Sequence, residues 1–143
     1  MKIKKLTNTA IIPTRGSDKA AGYDLYADTN EVVKILPHKT KKISTGLAIM
    51  VPEGCYGAIF ARSGLSTKKG LRPANCTGVI DSDYRGDVIV ALHNDSEDVQ
   101  TIEPHERIAQ LVISPYLPVT FEVVDELDNT ERGENGFGST GTK

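Results

Sequence analysis

An all-β domain, either a sandwich or a barrel of short strands, is the fold class this sequence predicts. Three observations carry that expectation. Short runs dense in Ile and Val recur at 41–43, 47–51, 56–61, 88–92, 108–113 and 119–123. Gly, Pro, Asn and Asp punctuate the gaps, as in Pro52-Glu-Gly54, His93-Asn-Asp95 and Ser114-Pro115. Apolar residues at helical spacing are missing over any useful length.

Each element follows from its residues. Met1-Lys-Ile-Lys-Lys-Leu-Thr7 is basic but leads into no apolar h-region, so it is not expected to act as a signal peptide. Ala21-Gly-Tyr-Asp-Leu-Tyr-Ala27 alternates as a strand does, with Asp24 its one charge. A strand at 56–60 runs into Ala61-Arg-Ser-Gly-Leu-Ser-Thr67, where one short helix is expected, with Ser63 as N-cap and Gly70 as its stop. Gly78-Val-Ile80 enters as a strand. Asp83-Tyr-Arg-Gly86 then reads as a hairpin turn into a strand at 87–92. Arg107-Ile-Ala-Gln-Leu-Val-Ile113 is a further strand. After about Leu127 the composition shifts to charge and Gly. The expected division is therefore a β domain over 1–128 and a flexible Gly-rich segment over 129–143.

Composition narrows the function classes. A chain of 143 residues is one domain by its length. Its 17 Lys+Arg against 19 Asp+Glu give a net charge of −2, which argues against stable nucleic-acid binding. Apolar runs of only a few residues rule out a membrane-spanning helix. Cys55 and Cys76 form neither a metal cluster nor a secreted disulfide framework. The expectation is a soluble cytoplasmic protein, or one in an intracellular compartment of a host if the source is viral. His38, His93 and His105 sit in turn-like contexts and are read as surface residues. With no zinc-type spacing, any metal should be a hard cation held mainly by substrate oxygens.

Several groups of residues carry chemistry. Arg132-Gly-Glu-Asn-Gly-Phe-Gly-Ser-Thr-Gly141 sets one Arg, one Phe and two hydroxyls among glycines. Arg132 offers a cationic fork, Phe137 a flat face for a base, and Ser139 and Thr140 offer donors. Gly138 and its neighbouring glycines let backbone N–H groups come close. A disordered terminus is the plainer alternative. Arg62 and Ser63 at the start of a helix suit phosphate, although an ordinary capped turn fits equally well. Asp81 and Asp83 can share a strand face, one activating water while the other orients it or holds a cation. For Asp83 a structural turn role is favoured, and for Asp81 a functional one. Tyr84 offers a ring for a sugar face. Asp24 reads either as half of a salt bridge or as a site carboxylate, and Gln110 as a sheet-surface amide or as a phosphate ligand.

Taken in order, the segments around Asp24, Arg62-Ser-Gly-Leu-Ser66, Gly78-Val-Ile-Asp-Ser-Asp-Tyr-Arg-Gly86, Arg107-Ile-Ala-Gln-Leu111 and Arg132–Gly141 resemble the five motifs of trimeric deoxyuridine triphosphate nucleotidohydrolases. The resemblance runs from about residue 20 to the C-terminus. It implies a jelly-roll-like, distorted β-barrel assembled as a homotrimer. It also implies cleavage of dUTP to dUMP and pyrophosphate, with Mg²⁺ on the triphosphate. By resemblance, Asp81 polarises the water that attacks the α-phosphorus, while Arg62, Ser63, Gly64 and Gln110 hold phosphate oxygens. Asp24 would act on the metal indirectly, through its waters. Asn75 and the backbone of Gly78, Val79 and Ile80 would form the uracil pocket, and Tyr84 would pack on the sugar. Phe137 would stack on the base while Arg132, Gly138, Ser139 and Thr140 grip the phosphates, so that the C-terminal segment closes a site formed by other subunits.

One residue departs from the family pattern: Asn135 stands where a Gly-Gly pair usually has its second Gly, and Asn tolerates left-handed backbone geometry. Two other functions compete with dUTP hydrolysis. A dCTP deaminase shares the fold but needs a general acid/base carboxylate at the base pocket. A nucleotide-gated binding protein would use the same residues for binding alone.

Overall fold

The computed structural model describes residues 1–136. Twelve strands and one short helix follow one another: β1 (Lys2–Lys5), β2 (Thr14–Arg15), β3 (Tyr23–Tyr26), β4 (Val33–Ile35), β5 (Thr40–Ser44), β6 (Leu47–Met50), β7 (Cys55–Phe60), α1 (Ser63–Lys69), β8 (Leu71–Pro73), β9 (Gly78–Ile80), β10 (Ile89–Asn94), β11 (Gln100–Ile102) and β12 (Arg107–Pro115). The architecture is all-β, as the Ile/Val runs and their Gly/Pro breaks predict, and jelly-roll-like, as the family resemblance implies.

The sheets correct the expectation of a barrel. Among the described residues the strands fall into four sheets, ordered β1-β6, β5-β10-β8, β11-β4 and β2-β3-β12-β7-β9, and none closes on itself. One hydrophobic cluster joins them, with Leu25, Ile35, Ile43, Leu47, Ile49, Leu71, Leu92, Ile102, Ile108 and Leu111 fully buried. Burying each such side chain stabilises the fold by roughly 1.5–3 kcal/mol.

The five-stranded sheet positions the site. Its central strand, β12, pairs with β3 on one side and β7 on the other. A register shift between Arg107 and Ala109 lets the consecutive Ile108 and Ala109 both be buried. Beyond it, strict alternation turns Leu111 inward and leaves Gln110 and Val112 half-buried on the other face.

Three local expectations change. The N-cap of α1 is Arg62, in extended geometry and without a side-chain capping bond, so Ser63 is the first helical residue instead of the cap. Gly70 ends the helix as expected, at φ 65° with its N–H on Leu65 O. The segment at 78–92 is no paired hairpin, because β9 joins β7 while β10 joins β5 and β8. Residues 81–88 instead carry the chain between sheets. Residues 119–123 form no strand and are exposed. Their flanking prolines, Pro115 and Pro118, donate no ladder bonds, and no other described strand lies beside them. Of the histidines, His38 and His105 are exposed at positive φ, whereas His93 is half-buried on β10. No described helix is long and apolar enough to cross a membrane.

Candidate active site

Cross-strand register builds the first half of the site. Gln110 on β12 lies directly opposite Asp24 on β3 and Phe60 on β7, so the three side chains form one row across three strands. Together with Gly16, Gly22, Arg62, Ser63, Gly64 and Val112 they line a cleft of about 490 Å³.

Asp24 organises the charges in this cleft. Its side chain is only 15% exposed, and each oxygen accepts a hydrogen bond from an arginine: Arg62 Nε at 2.9 Å and Arg107 Nη1 at 3.1 Å. Arg62 Nη1 also donates to Arg107 O at 3.3 Å. Asp24 is thus salt-bridged, the plainer of its two readings, and its carboxylate also lines the cleft. With Arg107 beside the cleft and Arg62 in its lining, two cations share one anion there, an excess of positive charge that suits a polyanionic ligand.

Backbone geometry completes this half. Arg62 O accepts the N–H groups of Leu65 and Ser66, both at 3.0 Å. Those of Ser63 and Gly64 have no partner among the described residues and lie at the cleft. Gln110 Nε2 donates to Ala61 O at 2.9 Å, which fixes its amide over the cleft. Gly22 sits against that amide so closely that a Cβ there would meet Gln110 Oε1 at 2.5 Å.

The second half lies in the turn after β9. Asp81, Ser82 and Asp83 are in this turn and not on a strand. They line a hollow of about 650 Å³ with Cys55, Tyr56, Val79 and Tyr116. On another side, Asp81 shares a hollow of about 240 Å³ with Val79, Ile80, Tyr84, Asp87 and Ile89. Tyr84 OH donates to Asp87 O at 3.0 Å, and Ser44 Oγ to Asp87 Oδ2 at 2.5 Å, tying the turn to the end of β5. A Cβ on Gly86 would meet Tyr84 OH at 2.5 Å, so the ring packs against bare backbone. The Asn75 side-chain nitrogen is 3.5 Å from the Cβ position of Gly78, beside β9. Cys76 at φ 60° makes the bend between them.

A model of the dUTPase family matches residues 8–141. The chain belongs to the dUTPase family. Over 145 residues it is 46% identical to the deoxyuridine 5'-triphosphate nucleotidohydrolase of Escherichia phage T5, with 97% of each chain covered. Its fold is similar to that of Staphylococcus bacteriophage 80alpha dUTPase with dUPNHPP, at a TM-score of 0.90 and 34% identity over 99% of this chain and 98% of that one. A mutant dUTPase from phage phi11 of S. aureus is 26% identical, with a TM-score of 0.77 over 87% of this chain and 96% of that one. That structure describes the coordination of a structural Mg(II) ion.

For a dUTPase chain, the two halves stand far apart. Register places Ile80 opposite Gly57 and Gly78 opposite Ile59, so Asp81 follows at the Tyr56 end of β7. Arg62 lies beyond the other end. Six residues of extended chain separate Tyr56 from Arg62, roughly 20 Å. No residue is common to the linings of the cleft and the two hollows.

Among the described residues no group of three His, Cys, Asp or Glu side chains is placed to hold a metal. Both oxygens of Asp24 are engaged by arginines, so the carboxylate suits an ion's water shell better than direct ligation.

The sequence does not single out Arg107 or Gly22, although Gly22 lies in the strand segment of Asp24 and Arg107 in that of Gln110. A signal existed for Arg107, which begins the strand that carries Gln110. In the C-terminal segment, exposed Arg132 donates through Nε to Asn135 O at 2.8 Å. Phe137, Gly138, Ser139 and Thr140 lie outside the described residues.

Proposed function

We propose that this chain hydrolyses dUTP to dUMP and pyrophosphate in sites shared between the subunits of a homotrimer. The separation of the cationic cleft from the Asp81 turn carries the reading. A triphosphate held at Arg62 is out of reach of Asp81 in the same chain, so a neighbouring subunit must bring its own turn to the cleft. Exposed apolar residues after β12 support association: Leu117 is 87%, Phe121 89% and Val123 98% exposed.

Each half then has its task. Arg62, Ser63, Gly64 and Gln110 hold the phosphates, with Arg107 sharing the charge of Asp24. The Asp81 carboxylate orients a water and draws its proton as the oxygen attacks the α-phosphorus. The new P–O bond forms while the bond to the bridging oxygen breaks, and pyrophosphate leaves. Mg²⁺ on the triphosphate, with Asp24 near its waters, supplies charge neutralisation when bound.

Base selection rests on β9, the edge strand of its sheet. Its outward N–H and C=O groups are free to match the donor and acceptors of uracil, with Asn75 beside them. Cytosine reverses part of that pattern and leaves buried polar groups unpaired. Thymine adds a methyl that close packing against β9 excludes. Tyr84, tethered to Asp87 O, packs on the sugar where a ribose 2'-hydroxyl would sit. The C-terminal segment 129–143 closes the site of other subunits, Phe137 covering the base while Arg132, Gly138, Ser139 and Thr140 grip the phosphates. The product serves thymidylate synthesis, and removal of dUTP limits uracil in DNA.

One assay tests the reading. Purified protein with Mg²⁺ is given dUTP, dTTP, dCTP and UTP, with pyrophosphate and deaminated product both measured. Pyrophosphate from dUTP alone is expected. Deaminated product from dCTP, or intact dUTP after prolonged incubation, would overturn it.

A further inference from the structure

Helix α1 presents Ser63 and Gly64 to the cleft, yet little apolar packing fixes its orientation. It is seven residues long, and Leu65 is its one buried side chain. A helix this short has no stability of its own, since isolated helices below about 12–15 residues are marginal. With Leu65 as its one buried residue, apolar packing alone does not fix the tilt of the helix. Internally, however, α1 is stitched together. Thr67 Oγ1 donates to Ser63 O at 2.6 Å, and Ser66 Oγ to Arg62 O at 3.2 Å. With the helix tied together in this way, a tilt imposed at one end would be passed to the other.

Polar ties hold both ends. At the N-terminal end Arg62 bonds Asp24 and Arg107 O. At the far end Lys69 Nζ donates to Glu106 Oε1 at 3.0 Å and to Thr101 O at 3.3 Å. Glu106 is itself anchored, because its Oε2 accepts the N–H of Glu103 at 2.9 Å and its backbone O accepts the N–H of Ala27 at 2.9 Å. The next residue is Arg107, whose guanidinium returns to Asp24 at 3.1 Å. A closed circuit results, running from Asp24 through Arg62, α1, Lys69, Glu106 and Arg107 back to Asp24. Lys69 also sits at the helix C-terminus, where a cation is favoured.

We propose that Lys69 and Glu106 are positioning residues for triphosphate binding. Their ion pair sets the tilt of α1 and so the placement of the Arg62–Gly64 segment against the phosphates. The proposal rests on the dUTPase reading. Neither residue lines the cleft, so their effect passes through α1 and Arg107.

The test separates positioning from plain stabilisation. Wild type, Lys69→Met, Lys69→Arg and Glu106→Gln are compared for binding of dUMP and of a non-hydrolysable imido analogue of dUTP by calorimetry, and for kcat and KM. Lys69→Met keeps the apolar stem and removes the charge. It should weaken analogue binding about tenfold and raise KM in step, since small misplacements of a binding group are costly. Binding of dUMP should change by less than about twofold, because most of the phosphate contacts are absent from that ligand. Glu106→Gln should follow Lys69→Met, and Lys69→Arg should restore the wild-type values. Equal weakening of dUMP and analogue would reduce the pair to a stability contact and overturn the proposal, as would wild-type binding in both charge-removing variants. Should Lys69→Met not fold, Glu106→Gln decides alone. Wild-type protein that neither binds the analogue nor hydrolyses dUTP would instead overturn the underlying dUTPase reading.

Discussion

Replacing Gly22 by alanine isolates the contribution of Gln110 without touching it. The added Cβ would lie 2.5 Å from Gln110 Oε1, closer than a Cβ comes to a non-bonded atom, and 3.4 Å from Gln110 Cβ and Cδ. The stem contacts are tolerable, so the amide end must swing away. That movement breaks the bond from Gln110 Nε2 to Ala61 O at 2.9 Å. Its loss costs about 0.5–1.5 kcal/mol of stability. Catalysis should suffer more, because a hydrogen bond to a charged phosphate is worth about 1.5–3 kcal/mol. Converted at 1.36 kcal/mol per decade, the drop in kcat/KM is roughly 10- to 150-fold. Steady-state kinetics on Gly22→Ala, Gln110→Ala and the double variant measure it. Acting through the amide, Gly22→Ala should add little in the Gln110→Ala background. Independent, fully additive effects of the two substitutions would refute the argument, and so would wild-type kcat/KM in Gly22→Ala.

Three further outcomes are expected. Asp81→Asn should keep the affinity for a non-hydrolysable analogue within about twofold while turnover falls about 100-fold or more; near-normal turnover would remove Asp81 from its role. A chain ending at Asp128 should fold and trimerise, as circular dichroism and light scattering would show, yet lose most dUTP hydrolysis; normal activity would make the C-terminal segment dispensable. Away from the site, Arg72 donates to both oxygens of Asp95 at 2.7 and 3.0 Å, and this hydrogen bonding holds the Asp95 carboxyl below the ordinary aspartate range. Because the folded value is the lower one, the pair's contribution is complete above the unfolded aspartate value and is lost as pH falls through the folded value. Asp95→Asn should flatten that acid limb in melting curves from roughly pH 2 to 6, whereas parallel curves would argue against the linkage.

The long, apolar strands were legible in the sequence, and the short, charged ones were not. β7 and β12 announce themselves because each is an apolar run that buries several residues, Ala58 and Ile59 on β7 and Ile108, Ala109 and Leu111 on β12. β1 carries three lysines and turns only Ile3 inward, so its residues read as a basic terminus; the partner strand β6 makes it a strand. Residues 119–123 alternate convincingly, but alternation without a partner strand forms no ladder. Candidate site residues can be picked out of the sequence one by one, since Asp24, Arg62, Asp81 and Gln110 each stand out from an apolar context. Their grouping was hidden, because it depends on which residue of β7 faces which residue of β9 and β12. The Lys69–Glu106 contact spans 37 positions, and no local pattern signals it.

Combined with the proposed sharing of sites between subunits, the placement of Arg62 and Asp81 at opposite ends of β7 has a genetic consequence. A site assembled from different chains can be repaired by mixing two broken ones. Chains carrying Arg62→Ala retain a sound Asp81 turn, and chains carrying Asp81→Asn retain a sound cleft. After unfolding and refolding together in equal amounts, each half of a site has an even chance of being intact, so roughly a quarter of the sites regain both. Two silent alleles in one cell would then complement each other, while a chain damaged in both halves would poison its neighbours.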